Sequence, residues 1–197
     1  IQDFVLKRFG IERLAGDIEM VRTEQADPGT PERMRRVTGL NTDDTGRGNY
    51  FAKAHQRSHE IRNEKIHCVR RALQRPEMFG GLEEGDVLIV GWGSMRGSVE
   101  EAVRYCRKQG LAVEGICLRF VYPLPLMLKE IFARFKKVVT VELAYGDKYK
   151  PPPLAMLLRS ETLVDVEPLI ARATGRPITP RTIEGKVKEL LGVTVGR

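Results

Sequence analysis

The residues whose types and spacing could do chemistry are few, and the most suggestive are in one glycine-rich loop. Gly91-Trp92-Gly93-Ser94-Met95-Arg96-Gly97-Ser98 follows a short apolar run and precedes an amphipathic one. Free amides at a helix start, glycines that permit close approach and one guanidinium can hold a phosphate or carboxylate. On that reading the anion-binding residues are Gly93, Ser94 and Arg96. The plainer reading is a tight strand-to-helix turn capped by a serine. The spacing matches neither the dinucleotide fingerprint nor the P-loop, whose Lys-Ser/Thr pair is missing.

Other candidates carry less. His55 and His59 are four apart, which puts two imidazoles on one helix face. The residue after His55 is Gln56, not the glutamate of a zincin, and no third ligand stands nearby, so no metal site is assigned. Glu142, Asp165 and Glu167 lie at or beside strand ends, and paired carboxylates can divide acid and base roles. Pairing with the abundant arginines is the expected use, and no catalytic residue is assigned. Trp92 and Tyr122 are single aromatics at strand ends, suited to an interface as well as to a substrate. Cys68, Cys106 and Cys117 form no Cys-x-x-Cys pair, so neither zinc nor a cysteine-ligated cluster is expected, and all three suit the core.

The elements that must position these residues alternate from Gly85 onward. Val87 to Val90 is an apolar run of the kind buried on both faces of a parallel sheet. Val99, Ala102, Val103 and Cys106 then make a helical stripe, with Ser98 and Glu101 as its expected capping box and Gly110 as its stop. Ala112 to Phe120 reads as a strand, Leu124 to Phe135 as a helix and Val138 to Val141 as a strand. Leu154 to Arg159 reads as a short helix and Leu163 to Val166 as a fourth strand. The last helix has Thr179 as N-cap, Pro180 in its first turn and Gly192 beyond its end. The alternation predicts an α/β fold, a three-layer α/β/α sandwich on a mainly parallel sheet of about five strands.

Upstream, residues 1–54 lack periodicity and read as an irregular N-terminal segment or interdomain linker. Residues 55–84 read as a charged helix and connector, and 85–197 as the α/β domain. The formal net charge is +7, and much of the basic excess precedes residue 76. Without a helix-turn-helix, finger or ribonucleoprotein motif, this balance points to a soluble surface or an acidic protein partner rather than nucleic acid. No apolar run approaches the ~20 residues that span a bilayer. No leader-like apolar stretch is present, and the sparse cysteines lead us to expect the reducing cytoplasm. The chain opens on Ile1 rather than Met, which suits either a fragment or a truncated relative.

The stretch Asp86-Val-Leu-Ile-Val-Gly-Trp-Gly-Ser94, followed by Glu101-Ala102, Gly110, Leu118-Arg119, Pro123-Leu124 and Val138-Val-Thr-Val-Glu142, resembles the C-terminal domain of thiamine-dependent enzymes of the transketolase class. Further marks resemble the α subunit of 2-oxoglutarate, or more broadly 2-oxoacid, ferredoxin oxidoreductases. They include Gly29-Thr-Pro31, Val37-Thr-Gly-Leu40, Asp43-Asp44-x-Gly46, His55-Gln56, Leu163-Val-Asp-Val166 and Thr174-Gly-Arg-Pro177. The resemblance covers about residues 28–191.

That resemblance implies oxidative decarboxylation of a 2-oxoacid on thiamine diphosphate, electron transfer through iron–sulfur clusters to ferredoxin, and formation of an acyl-CoA. It implies a β subunit and a second α subunit as partners. This stretch would be an assembly domain, binding no cofactor by itself and inactive alone. The sequence shows no Gly-Asp-Gly diphosphate motif. Two departures stand out. The family's Gly-Gln-Leu stretch after the Glu strand is replaced by Ala144 to Pro153. Arg22, in Arg22-Thr-Glu-Gln-Ala-Asp27, resembles the arginine that faces the substrate carboxylate, yet it adjoins the Gly-Thr-Pro turn that in the family lies far downstream. Either the match is coincidental or most of the pyrimidine-binding domain is absent. The alternative function is a stand-alone, non-catalytic module binding an anion or a protein.

Overall fold

The computed structural model describes residues 29, 39–42 and 47–193. The chain divides into two compact units, Ile1–Gln74 and Arg75–Arg197. In the first, helix α1 spans Ala52–Ala72. It is mostly exposed because charged residues occupy most of its circumference, and pairs such as Arg57 with Glu60 dress its surface.

The second unit is built on four strands, β1 (Gly85–Trp92), β2 (Val113–Leu118), β3 (Phe135–Glu142) and β4 (Val166–Ala171). Their order is β2-β1-β3-β4 and every pairing is parallel. Helices α2 (Arg96–Lys108), α3 (Leu128–Phe132), α4 (Pro153–Thr162) and α5 (Pro180–Leu191) supply the outer layers. The period-two alternation of β1 decides the layering. Val87 and Ile89 face α2 and α5, packing with Val99, Val103, Ile183 and Val187. Leu88 and Val90 face the other way, onto Leu128 and Phe132 of α3 and Leu154 and Leu158 of α4. A run apolar at every position is what a strand covered on both faces requires. Gly115 in β2 lets α2 approach closely, since a Cβ there would stand 2.7 Å from a methyl of Val103.

The α/β/α architecture is the one expected, with four strands among the described residues rather than about five. Several local expectations need correction. Ser98 does not cap α2: that helix starts earlier, at Arg96, with Met95 at the N-cap and no side-chain capping bond. The helix expected over 124–135 shortens to Leu128–Phe132, and Phe135 opens β3. Leu163 is not in a strand; it ends α4 with φ of 58°. The fourth strand starts at Val166 and runs through Pro168, which the sheet tolerates because β4 is an edge strand with a register shift opposite Thr140 and Val141. Helix α4 runs on from the expected Arg159 to Thr162, and α1 starts at Ala52, before His55; the Gly110 stop of α2 and both ends of α5 are as expected. The Thr179 side chain accepts from the Thr182 amide, and Gly110 and Gly192 take the positive φ that ends α2 and α5.

Candidate functional site

In a parallel sheet, ligands gather beyond the carboxyl ends of strands, above all where the strand order reverses. Here β1 connects outward to β2 while β3 lies on its other side, so the reversal falls between β1 and β3. The loop after β1 is the glycine loop. Gly93 takes φ of 57°, and Gly93–Met95 form one 3₁₀ turn leading into α2. Gly91 is needed for packing, because a Cβ there would press on Val99 and Met95 at 3.1 and 3.2 Å.

The structure brings Gly93, Ser94 and Arg96 together on this turn, with Gly93 and Ser94 exposed. The Arg96 guanidinium is engaged: Nη2 donates to Glu77 Oε2 at 2.6 Å, and the group lies 5.0 Å over the Phe79 ring. Glu77 raises the Arg96 pKa above its ordinary value. Beneath the turn, burial pushes the Cys117 thiol up to about 11, as it does that of Cys106 in α2. Neither thiol is a nucleophile at neutral pH.

The loop after β3 is the segment from Ala144 to Pro153. Asp147 organises it: Tyr145 Oη donates to its Oδ2 at 2.6 Å, and the amides of Tyr149 and Lys150 donate to Oδ1 at 2.8 Å. The Tyr145 hydroxyl is the main reason that the Asp147 pKa lies below its usual value. Pro152 and Pro153 then launch α4.

Three carboxylates stood out in the sequence, and the structure does not join them in one acid–base pair. Glu142 is fully buried at the end of β3 and turns to the start of α4, accepting from the amides of Leu154, at 3.1 Å, and Ala155. Among the described residues it pairs with no arginine, contrary to expectation, and Oε1 has no hydrogen-bond partner there, nor has Thr140 Oγ1 in the same strand. Burial raises the Glu142 pKa and the α4 amides pull it back in part. Asp165 is ion-paired with Arg159, in keeping with the structural reading, and Glu167 is exposed.

On α1 the His55 and His59 Nε2 atoms approach to 3.3 Å. Among the described residues no three His, Cys, Asp or Glu side chains converge to hold a metal ion. Cys68, Cys106 and Cys117 are each buried on a separate element. Arg22 lies outside the described residues.

One group that the sequence reading missed is Glu114. It is fully buried in β2, and its carboxylate accepts from the amides of Gly80 at 2.5 Å and Leu82 at 2.7 Å. The connector that carries Glu77 and Phe79 is thereby tied to the sheet edge, with Phe79 N also donating to Gly115 O at 3.0 Å. A charged residue inside an apolar strand was the available signal.

The same carboxyl edge is unusually apolar. Trp92 at the end of β1, Tyr122 and Leu126 after β2, and Leu143 and Tyr145 after β3 are all substantially exposed. Large exposed apolar side chains can mark a surface that another chain covers.

Fold and edge together define a three-layer α/β domain that presents loops and aromatic side chains at one end. Residues 85–183 match the family model described as pyruvate:ferredoxin oxidoreductase core domain II, and the chain belongs to that family. The ordered motifs had pointed to this group. The chain is 33% identical over 154 residues to the 2-oxoglutarate oxidoreductase subunit KorA of Mycobacterium tuberculosis, covering 78% of this chain and 22% of that protein. It is 28% identical over 162 residues to the α subunit of 2-oxoacid:ferredoxin oxidoreductase 2 of Aeropyrum pernix, covering 79% and 24%. A solved 2-oxoglutarate:ferredoxin oxidoreductase from Magnetococcus marinus, with 2-oxoglutarate, coenzyme A and succinyl-CoA bound, matches with a TM-score of 0.75 at 31% identity. That match covers 90% of this chain and 30% of the other. The chain thus spans about a quarter of the length of the curated relatives it matches.

Proposed function

We propose that this chain is an assembly and interface portion of the α subunit of a thiamine-diphosphate-dependent 2-oxoacid:ferredoxin oxidoreductase. Its partners are the β subunit and a second α subunit, with ferredoxin reached indirectly. The observation that carries this reading is the exposed rim of Trp92, Tyr122, Leu126, Leu143 and Tyr145, placed where an open parallel sheet meets its ligands and partners. The relatives support it, being subunits of multi-subunit oxidoreductases by name. The complete enzyme supplies thiamine diphosphate, iron–sulfur clusters and coenzyme A, and this chain contributes packing surface rather than reacting groups. The setting is the cytoplasm; among the described residues no helix is long and apolar enough to cross a membrane.

The test is co-purification. The chain should capture a β subunit carrying thiamine diphosphate from its source, and Trp92→Ser together with Tyr122→Ser should weaken that capture. Calorimetry on the isolated chain should show no thiamine diphosphate binding. Micromolar binding to the chain alone, or capture indifferent to both substitutions, would count against the proposal. An intact native mass equal to that of the chain, with no β subunit captured, would favour a stand-alone module.

A further inference from the structure

A second feature of the carboxyl edge lies two strands along from the glycine loop. The segment between β4 and α5 reads Arg172-Ala-Thr-Gly-Arg-Pro177. Gly175 adopts φ of 71°, a conformation that reverses the chain, and the Arg176 amide donates to Thr174 Oγ1 at 3.4 Å. The reversal places Arg172 and Arg176 on the wall of one open cavity of about 490 Å³, lined also by Leu143, Ala173, Gly175 and Pro177.

Neither arginine forms an ion pair among the described residues. Arg172 is half-buried and is held in place rather than neutralised. Its backbone amide donates to Glu142 O, and its Nη2 donates to Pro177 O, both at 3.3 Å. Its Nε is enclosed and has no hydrogen-bond partner. A guanidinium has five N–H donors, and this one meets a single protein acceptor. Most of the other described arginines of this unit are paired with acids: Arg75 and Arg134 with Glu83, Arg96 with Glu77, Arg159 with Asp165 and Arg181 with Glu184. No carboxylate lines the cavity. Two guanidinium groups without an ion pair line one open cavity, and the guanidinium is the side-chain cation best suited to phosphate. The volume exceeds what a bare ion fills and is ordinary for a small organic ligand. Leu143 and Pro177 offer the apolar surface for the rest of it.

We propose that Arg172 and Arg176 form the phosphate-binding end of a site for a small phosphorylated organic molecule, with Leu143 and Pro177 packing against its apolar part. The site borders the surface proposed for assembly, since Leu143 belongs to both.

The experiment is calorimetric and thermal titration of the full chain with inorganic phosphate and with adenosine monophosphate, against chloride at equal ionic strength. Inorganic phosphate should give a saturable rise in melting temperature, and adenosine monophosphate should bind at least tenfold more tightly. Arg176→Gln, at an exposed position, should weaken both at least tenfold without unfolding the protein. Arg172→Gln should do the same, and Arg96→Ala should change neither. Phosphate raises melting temperatures by exclusion from protein surfaces as well. An unsaturable rise shared equally by wild type and Arg176→Gln would therefore overturn the site. Equal affinity for inorganic phosphate and adenosine monophosphate would overturn the apolar half of the proposal.

Discussion

Arg96 and Glu77 form a salt bridge at 2.6 Å that ties the first turn of α2 to the connector preceding β1. Both side chains are more than a third exposed, so the pair is worth no more than about 1 kcal/mol. Its consequence is more chemical than energetic, because the one cation of the glycine loop already has an anion.

The first prediction follows. Arg96→Ala should move the urea midpoint by the equivalent of about 1 kcal/mol or less. Sulfate or phosphate should stabilise this variant and the wild type alike. Loss of the anion-dependent gain in Arg96→Ala would instead make the Gly93–Arg96 turn an anion site.

Glu114 should matter far more. Its carboxylate accepts from the amides of Gly80 and Leu82 within a buried strand. Glu114→Ala leaves both amides unsatisfied beside an empty volume and should cost about 2–4 kcal/mol. Urea unfolding reads this directly. A midpoint within error of wild type would show that the connector does not depend on this carboxylate.

Glu184 predicts an acid-sensitive joint between α2 and α5. Lys188 at 2.9 Å, Gln109 at 2.7 Å and Arg181 at 2.8 Å surround its nearly buried carboxylate. Hydrogen bonding to Lys188 is the largest cause that brings its pKa down from 4.5 to about 2. A depressed pKa means that the folded state holds the charged form more tightly. The stabilisation is present above the unfolded value and is lost as pH falls from about 4.5 through about 2. Its size is on the order of 2–3 kcal/mol. Glu184→Gln should unfold at lower urea than wild type at pH 7, and the gap should shrink by pH 2. A gap independent of pH would remove the electrostatic explanation.

Glu142 predicts the opposite sign. Burial raises its pKa, so the fold favours the neutral carboxyl. That preference stabilises the protein fully below the unfolded pKa and fades as pH rises through the folded value. Glu142→Gln keeps an acceptor for the Leu154 and Ala155 amides and carries no charge. At pH 7 its urea midpoint should equal or exceed that of wild type, by about 1 kcal/mol, with the two converging below pH 4. A variant that is less stable at pH 7 and closes the gap nowhere would show that the carboxylate itself is required.

Much of the fold was legible in the residues. Val87 to Val90 could only be a doubly covered strand, and the Val99-to-Cys106 stripe could only be one face of a helix, because both patterns are set by local geometry. Thr179-Pro180, Gly110 and Gly192 marked helix ends through their own conformational limits. The ordered motifs were enough to place the chain in its family.

What the tertiary structure alone decided were pairings between distant segments. The fourth strand, expected over Leu163 to Val166, starts instead at Val166 and runs on through Glu167 and Pro168, which the sheet order permits because β4 is an edge. Leu163 looked like strand and is the left-handed end of α4. Glu114 meets its amides across 34 positions, and Glu77 reaches Arg96 across 19. Periodicity reports which face a side chain takes along its own element. It contains nothing about which charge on another element will face it, because that depends on strand order and on how closely the helices pack. The same limit hid the cavity of Arg172 and Arg176, since Leu143, its third wall, arrives only when β4 aligns beside β3.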